Sequence, residues 1–505
     1  MMKGFLPEIF LTTSTLFLLL FDSHLTNSLK YKFPLLEKEI FIQIQLIFYF
    51  LLCLVFNNQL QGVDSSQLFI FDNCLCTVKF IFIFLTMCVF IFIWRGFLLQ
   101  RLNLIEYFIL FLFSIIASLI LLNTTNFLSV YLCLELQSLC FYILTAYQRK
   151  SIYSSEAGLK YFSSNAVISG IFLFGSLIFY GLFGTSNFED ISLILNSYSF
   201  IEGNYFFFQY CLWGSICIFI TFFFKLTIAP YHAWFPQIYD GAPLSSTIIL
   251  NFLPKLVIFT ILLRFWESIS LFTPYFESLI LLIGVYSVFF GITKGLKQKR
   301  LKKLFIYSSI SQMGLPLCAL GENTLTSKYA VFFFLIIYLI TAILMWGILV
   351  LIASNQKKRT IYWYESLNIY PIFLNAFTNV KQFNSSYSFC LIFLFFSMAG
   401  IPPCVGFLSK IYIYFSLIET FNYEIATILA YTGAFGVYYY IKILKISFFE
   451  QENLKSKNKQ QTFFDFEFLF LDFLLFAICI YFLIYICFFP NILNLICKYS
   501  IIFLI

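Results

Sequence analysis

The sequence predicts an all-α polytopic membrane protein with about 14 transmembrane helices, and three observations predict it. Of its 505 residues, 61% are hydrophobic and only 11% charged, whereas a soluble domain is nearer half apolar and a quarter charged. The mean hydropathy is +0.90. Apolar runs of about 17–25 residues, each able to cross the hydrocarbon core as a helix, recur from end to end. The loops between those runs alternate in charge, which no soluble fold requires.

The runs fall at 5–22, 40–57, 79–94, 104–122, 125–147, 158–182 and 206–230. They continue at 243–264, 271–292, 300–320, 328–353, 387–418, 424–448 and 466–489, with a short apolar tail at 491–505. Loops after even-numbered runs have only Arg264 and Lys328 at their margins, whereas those after odd-numbered runs, save the short one after run seven, are basic: Lys30, Lys32 and Lys38; Arg95 and Arg101; Arg149 and Lys150. Further along they carry the stretch KGLKQKRLKK (294–303), then Lys357, Lys358, Arg359 and Lys381, then Lys455, Lys457 and Lys459. Loops after even-numbered runs hold acids instead, among them Asp64, Asp72, Glu189, Asp190, Glu202, Glu267, Glu322 and Glu419. By the positive-inside rule the odd loops face the matrix or cytoplasm, and both termini face the other side. The net charge of +7 comes from those loops. With no domain to organise it, the excess does not make a nucleic-acid surface. The KGLKQKRLKK stretch reads first as a topology determinant and second as a site for anionic lipid or a partner subunit.

Composition also excludes chemistry. Fourteen cysteines form no CxxC pair, and the two histidines, His24 and His232, cannot complete a zinc, haem or iron–sulfur ligand set. No Rossmann glycine pattern, P-loop or HExxH motif occurs. Redox chemistry and nucleotide binding therefore have to lie in other chains. The N-terminus lacks a small-residue cleavage site and reads as a first span, and no Arg- and Ser-rich transit peptide precedes it. The 72 Phe and 33 Tyr fit an A/T-rich genome, as in many mitochondria.

Four ionisable residues sit inside apolar runs: Glu135, Lys225, Lys255 and Lys410. A charge at mid-bilayer costs about 3 kcal/mol on insertion scales, so such residues pair with one another or line a hydrated ion path. Glu135 lies in CLELQSLCFY beside Gln137 and Ser138. Lys225 opens KLTIAP, where Pro230 should kink or break the seventh run because it lacks an N–H. The twelfth run repeats the theme, with Gly400, Pro402, Pro403 and Gly406 before Lys410. Broken helices at membrane depth surround protein-lined or wet cavities. Runs seven and twelve are five apart, as expected of two inverted five-helix repeats over runs 4–8 and 9–13. The match is imperfect, since Lys225 precedes its proline and Lys410 follows its pair. Lysines suit proton transfer because desolvation brings an ammonium within reach of physiological pH in general. The competing reading for each lysine is a snorkelling or structural charge. Two further residues stay open: Lys160, as a relay or a snorkelling residue near a basic loop, and His232, as a relay or a cap on a re-entrant turn.

These same residues carry a resemblance. CLELQSLCFYILTA with YSSEAGLKYF, FKLTIAPYHAWFPQIYDGAPLSST with PKLVIF, LKKLFIYSSISQMG, and MAGIPPCVGFLSKIY resemble the subunit 2 family of respiratory complex I, the NADH:ubiquinone oxidoreductase. The likeness runs from about 105 to 445 by these motifs, which sit on the broken-helix pattern. It implies an N-terminal three-helix segment (1–103), a first antiporter-like repeat (104–264), a second (265–448) and a C-terminal helix and tail (449–505). It implies that Glu135 and Lys225 form a paired unit, Lys255 a central relay and Lys410 a terminal site for proton translocation. No cofactor is implied in this chain; FMN, iron–sulfur clusters and ubiquinone belong to partner subunits. The partners implied are neighbouring membrane-arm subunits, accessory subunits and lipids such as cardiolipin, in the mitochondrial inner membrane with both termini on the intermembrane-space side. Two other functions compete: a subunit of a multi-subunit sodium/proton antiporter, and a membrane scaffold that moves no protons. The ELQS and EAGLKYF stretches favour the complex I subunit.

Overall fold

In a bilayer every backbone N–H and C=O must be satisfied within its own segment, so apolar runs of this length fold as helices. A computed structural model describes residues 4–28, 37–57, 62–63, 68–100, 104–148, 151–198, 205–269, 274–359, 385–449 and 470–502. Lys30, Lys32, Arg101, Arg149, Lys150, Lys381, Lys455, Lys457, Lys459, Asp64 and Glu202 lie outside the described residues. The helices are α1 (Leu6–Ser28), α2 (Glu37–Asn57), α3 (Asn73–Gln100), α4 (Leu104–Asn123), α5 (Phe127–Thr145), α6 (Ile152–Phe183), α7 (Phe188–Tyr198), α8 (Tyr205–Lys225) and α9 (Trp234–Gly241). They continue as α10 (Leu244–Ile269), α11 (Pro274–Leu296), α12 (Leu301–Leu320), α13 (Leu325–Arg359), α14 (Ser385–Ala399), α15 (Val405–Glu419), α16 (Tyr423–Phe449), α17 (Phe470–Phe488) and α18 (Asn491–Ile502). A two-residue hairpin pairs β1 (Gly62–Val63) antiparallel with β2 (Ile70–Phe71).

Among the described residues, nine helices are long and apolar enough to cross a membrane, or ten if the last bent pair counts as one span. That pair is α17 and α18, bent by 90° around Pro490, so the apolar tail left open by the sequence is a helix turned across its predecessor. Two elements have no counterpart in the apolar runs, α7 and α9. Both are short helices in connections.

The chain forms two compact units, residues 1–278 with 496–505, and residues 279–495. In the first, α10 is the buried axis, with 94% of its apolar window buried. Phenylalanine does the packing there. The Phe265 ring meets Phe219, Phe127, Phe179, Phe188 and Phe222 at centroid separations of 5.3–6.2 Å. Lipid tails are as apolar as leucine, so helices in a membrane are held by such close van der Waals contact rather than by a hydrophobic drive. Arg264 of α10 donates to the Leu122 and Thr124 carbonyls at 2.7 and 2.9 Å, satisfying groups that the end of α4 leaves open. A buried ion pair joins α1 to α3: Lys79 Nζ lies 2.5 Å from Glu8 Oε1, and Asn123 Nδ2 donates to the same oxygen at 3.0 Å. In the second unit α13 is the axis, its apolar window wholly buried.

Two helices stop short inside their apolar runs. The chain leaves α8 at Lys225, five residues before the Pro230 at which the sequence predicts the kink. The reason is a C-terminal cap of Schellman type. Ile228 N–H reaches the Phe223 carbonyl (2.9 Å), Thr227 N–H reaches Phe224 (3.0 Å), and Thr227 turns left-handed at φ 63°. The second break has the same cap. Ile401 N–H reaches Phe396 and Gly400 N–H reaches Ser397, both at 3.1 Å, with Gly400 at φ 78°. Each left-handed residue is followed three positions later by a proline in a cis bond, Pro230 and Pro403. Beyond the second break α15 crosses so close to α14 that a Cβ on Gly406 would run into the Ser397 carbonyl oxygen.

Two variants test these packing arguments. Lys79→Met should destabilise the subunit by about 3–5 kcal/mol, because it strands a buried carboxylate, while Lys79→Met with Glu8→Leu recovers most of the loss. Gly406→Ala should cost more than about 3 kcal/mol, since backbone rather than a pliable side chain opposes the new methyl. Thermal melting of the solubilised assembly and its yield measure both.

Candidate functional site

Each break presents the open carbonyl end of a helix at the place where an apolar run is interrupted. The aligned peptide dipoles leave partial negative charge there, which favours a cation. Lys225 is the last residue of α8, so its own helix supplies that end. Lys410 lies on the far side of the second break, on α15, yet its ammonium reaches back to the terminal carbonyls of α14, Ala399 at 2.8 Å and Met398 at 3.3 Å. With Thr227 matched to Gly400 and Pro230 to Pro403, the position equivalent to Lys225 is Met398. The Lys410 ammonium therefore comes to the backbone position that matches Lys225, despite the offset between the two lysines in sequence. Gly400 permits this contact, because a Cβ there would sit 2.8 Å from Lys410 Nζ.

In the first unit Lys225 and Lys255 line one cavity of ≈ 10 Å³, about the room one water needs. Gln137 and Ser138 of α5, Tyr161 of α6, and Thr227 and Trp234 from the break complete its polar wall. Gln137 Nε2, Thr227 Oγ1 and Trp234 Nε1 are buried there without a protein hydrogen bond. Buried polar groups of that kind are normally satisfied by water. Lys255 is 1% exposed and donates to Asn251 Oδ1, one helical turn earlier, at 2.6 Å. Beside it Pro254 removes the N–H that would otherwise close on Leu250, another lining residue.

Glu135 stands next to this cavity rather than in it. No ion pair within 4.0 Å joins it to Lys225, although its charge acts on that lysine. Its link is Ser138, whose hydroxyl lies 3.5 Å from Glu135 Oε2 and also lines the cavity. Half-buried Glu135 shares α5 with the exposed Leu132, Leu136 and Leu139. Lys160 is elsewhere: it pairs with Glu156 at 2.7 Å, with both side chains about half exposed. His232 lies in the turn after α8, where its carbonyl accepts from Phe235 N–H at 3.0 Å, and its ring does not line the cavity.

In the second unit Lys410 lines a cavity of ≈ 20 Å³ with Ser311 and Gln312 of α12, Tyr414 of α15, and Tyr439 and Tyr440 of α16. Gln312 Nε2 donates to the Met398 carbonyl at 3.4 Å, sharing it with Lys410. Sequence reasoning missed Thr227, Trp234, Gln312 and the two tyrosines. Only Thr227 carried a signal, as the residue beside a cap where glycine is the common choice. A β-branched residue at positive φ is a strained outlier, and such strain clusters at functional sites. Among the described residues no group of three His, Cys, Asp or Glu side chains is placed to hold a metal ion.

Residues 124–436 match a family model described as NADH:quinone oxidoreductase/Mrp antiporter, TM. The chain is 29% identical to the NADH-quinone oxidoreductase subunit N of Pelagibacter ubique over 456 residues, 88% of this chain and 89% of that one. It is 30% identical to the NADH-ubiquinone oxidoreductase chain 2 of Marchantia polymorpha over 448 residues, 88% of each. Its fold is similar to a chain of respiratory complex I from Thermus thermophilus, with TM-score 0.73 and 19% identity over 97% of this chain and 98% of that one. It is also similar to a chain of an archaeal membrane-bound sulfane sulfur reductase, with TM-score 0.81 and 18% identity over 99% and 97%. A membrane protein of helices with an antiporter-like fold, this chain belongs to the subunit N/chain 2 family, the antiporter-like membrane-arm subunits of the NADH:quinone oxidoreductase known as complex I.

Proposed function

We propose that this subunit carries protons through a series of buried groups, Glu135, Lys225, Lys255 and Lys410, coupled to electron transfer from NADH to ubiquinone in other subunits. The observation that carries the proposal is the repeated break, where a capped helix end in an apolar run lies beside a small polar cavity lined by a lysine, and at the second break the Lys410 ammonium reaches the end carbonyls. An ammonium held by carbonyls at a helix end is stabilised while charged, and a neighbouring water or hydroxyl gives its proton somewhere to go. Within the first unit, Glu135 and Ser138 lead to Lys225, and the shared cavity leads on to Lys255. Lys410 is the corresponding terminal group in the second. Lys160 and His232 have a lesser claim on the route: neither lines either of these two cavities, whereas Glu135, also outside them, acts on Lys225 through its charge.

The repetition of the cap also supports two inverted five-helix repeats within a fourteen-span topology, 104–264 and 265–448, with an N-terminal segment before them and a C-terminal segment after. The chain-2 relative and the Phe-rich composition support residence in the mitochondrial inner membrane, with both termini in the intermembrane space. The partners that hold FMN, the iron–sulfur clusters and ubiquinone are then the other complex I subunits, with accessory subunits and cardiolipin around them.

Two experiments on the reconstituted complex test the proposal. Lys225→Met and Lys410→Met should each leave assembly intact and lower coupled turnover by about tenfold or more, the range that positioned acid–base groups contribute. Normal proton yield per NADH in both variants means that the chain is a scaffold. Thr227→Gly separates strain from function. It should relieve about 1–2 kcal/mol of left-handed backbone strain and raise thermal stability, while slowing proton-coupled turnover because the cavity loses its hydroxyl. Unchanged turnover removes Thr227 from the route.

A further inference from the structure

The Lys410 cavity has more polar wall than a structural ammonium needs. Lys410 is already satisfied by the α14 carbonyls. Facing the same space is Tyr440, 1% exposed, whose hydroxyl makes no direct protein hydrogen bond. Ser308, Gln312 and Tyr439 are the polar groups around that hydroxyl. An orphaned phenol in a cavity with room for about one water calls for a bridging water. On its other side Tyr440 packs against Tyr439, with ring centroids 4.3 Å apart, and Tyr439 in turn has Ser311 as its hydroxyl neighbour. The Tyr439 ring passes Gly295, 3.8 Å from where a Cβ would stand, and so reaches the last turn of α11 beside the basic residues Lys294 and Lys297. The hydroxyls of Ser308, Ser311, Tyr439 and Tyr440 on α12 and α16 thus form a ladder beside the Lys410 cavity.

We propose that Tyr440 is the relay residue that passes protons between this ladder and Lys410. A proton arriving from the Tyr439 and Ser308 side takes a lone pair of Tyr440 Oη. The proton already on that oxygen leaves through the bridging water to the neutral Lys410 amine. Tyrosine ends the step as it began, with one proton moved and one ammonium formed. Gln312 holds the Met398 carbonyl when Lys410 turns toward the water, so the helix end stays satisfied. The inference rests on Lys410 being a proton site.

The test uses the whole complex in proteoliposomes, following NADH oxidation and proton uptake together, with Lys410→Met in parallel. Tyr440→Phe keeps the ring and removes only the hydroxyl. It should assemble normally, slow coupled turnover by about tenfold, and increase the solvent deuterium isotope effect. Tyr440→Leu should lose no more than Phe, whereas a packing role predicts that Phe is silent and Leu harmful. Tyr431→Phe, on the exposed face of α16, should behave as wild type. Wild-type turnover and isotope effect in Tyr440→Phe overturn the relay. If Lys410→Met also pumps normally, the failure belongs to the Lys410 reading; if Lys410→Met is impaired alone, it belongs to Tyr440. Should Tyr440→Phe assemble poorly, Gln312→Met decides, with loss of coupling supporting the cavity route and normal coupling overturning it.

Discussion

A cation at the open end of an interrupted helix is the interaction on which the rest of this structure depends. Lipid offers no hydrogen bonds, so a helix can stop in an apolar run only if something satisfies the carbonyls it abandons. Here the capping turn takes some of them, and a lysine supplies the charge that the helix dipole favours. The lysine is in turn tolerable only because those carbonyls are there. At the second break the Lys410 ammonium and the α14 carbonyls each lower the cost of burying the other.

The surroundings follow from that need. Each unit has one almost wholly buried helix as its axis, α10 and α13, against which the broken helices can be held without moving. Phenylalanine packing and close backbone approach, as at Gly406, keep the two halves of a break in register. Small cavities then persist at the breaks because regular packing is impossible where a helix ends, and the polar groups left in them are where water enters. The cavities are in this sense a by-product of interrupting a helix in lipid, and ionisable side chains line them.

Much was legible in the sequence for a simple reason. Hydrophobic length and loop charge are one-dimensional signals, and the bilayer reads them in the same way that a scan along the chain does. The apolar runs fall on helices, nine or ten of which among the described residues are long and apolar enough to cross a membrane, and the neighbourhoods of Pro230 and Pro402–Pro403 marked both breaks. The error at the first break was one of position. Proline marks where a helix cannot resume, whereas the cap at Thr227 decides where it ends. Glu135, expected to pair with Lys225, makes no ion pair with it within 4.0 Å, but its charge acts on that lysine and Ser138 beside it lines the Lys225 cavity.

By itself the sequence determined the membrane class, the helices, the buried charges and the two interruptions, because each depends on local hydropathy or on a residue's own backbone chemistry. Only the tertiary structure decided which groups share a cavity. Lys410 reaches back to the Met398 carbonyl, Lys225 of α8 and Lys255 of α10 line one cavity, and Thr227, Gln312 and Tyr440 line these same two spaces. Those facts depend on side chains reaching across a break from distant turns, and a spacing along the chain cannot express that.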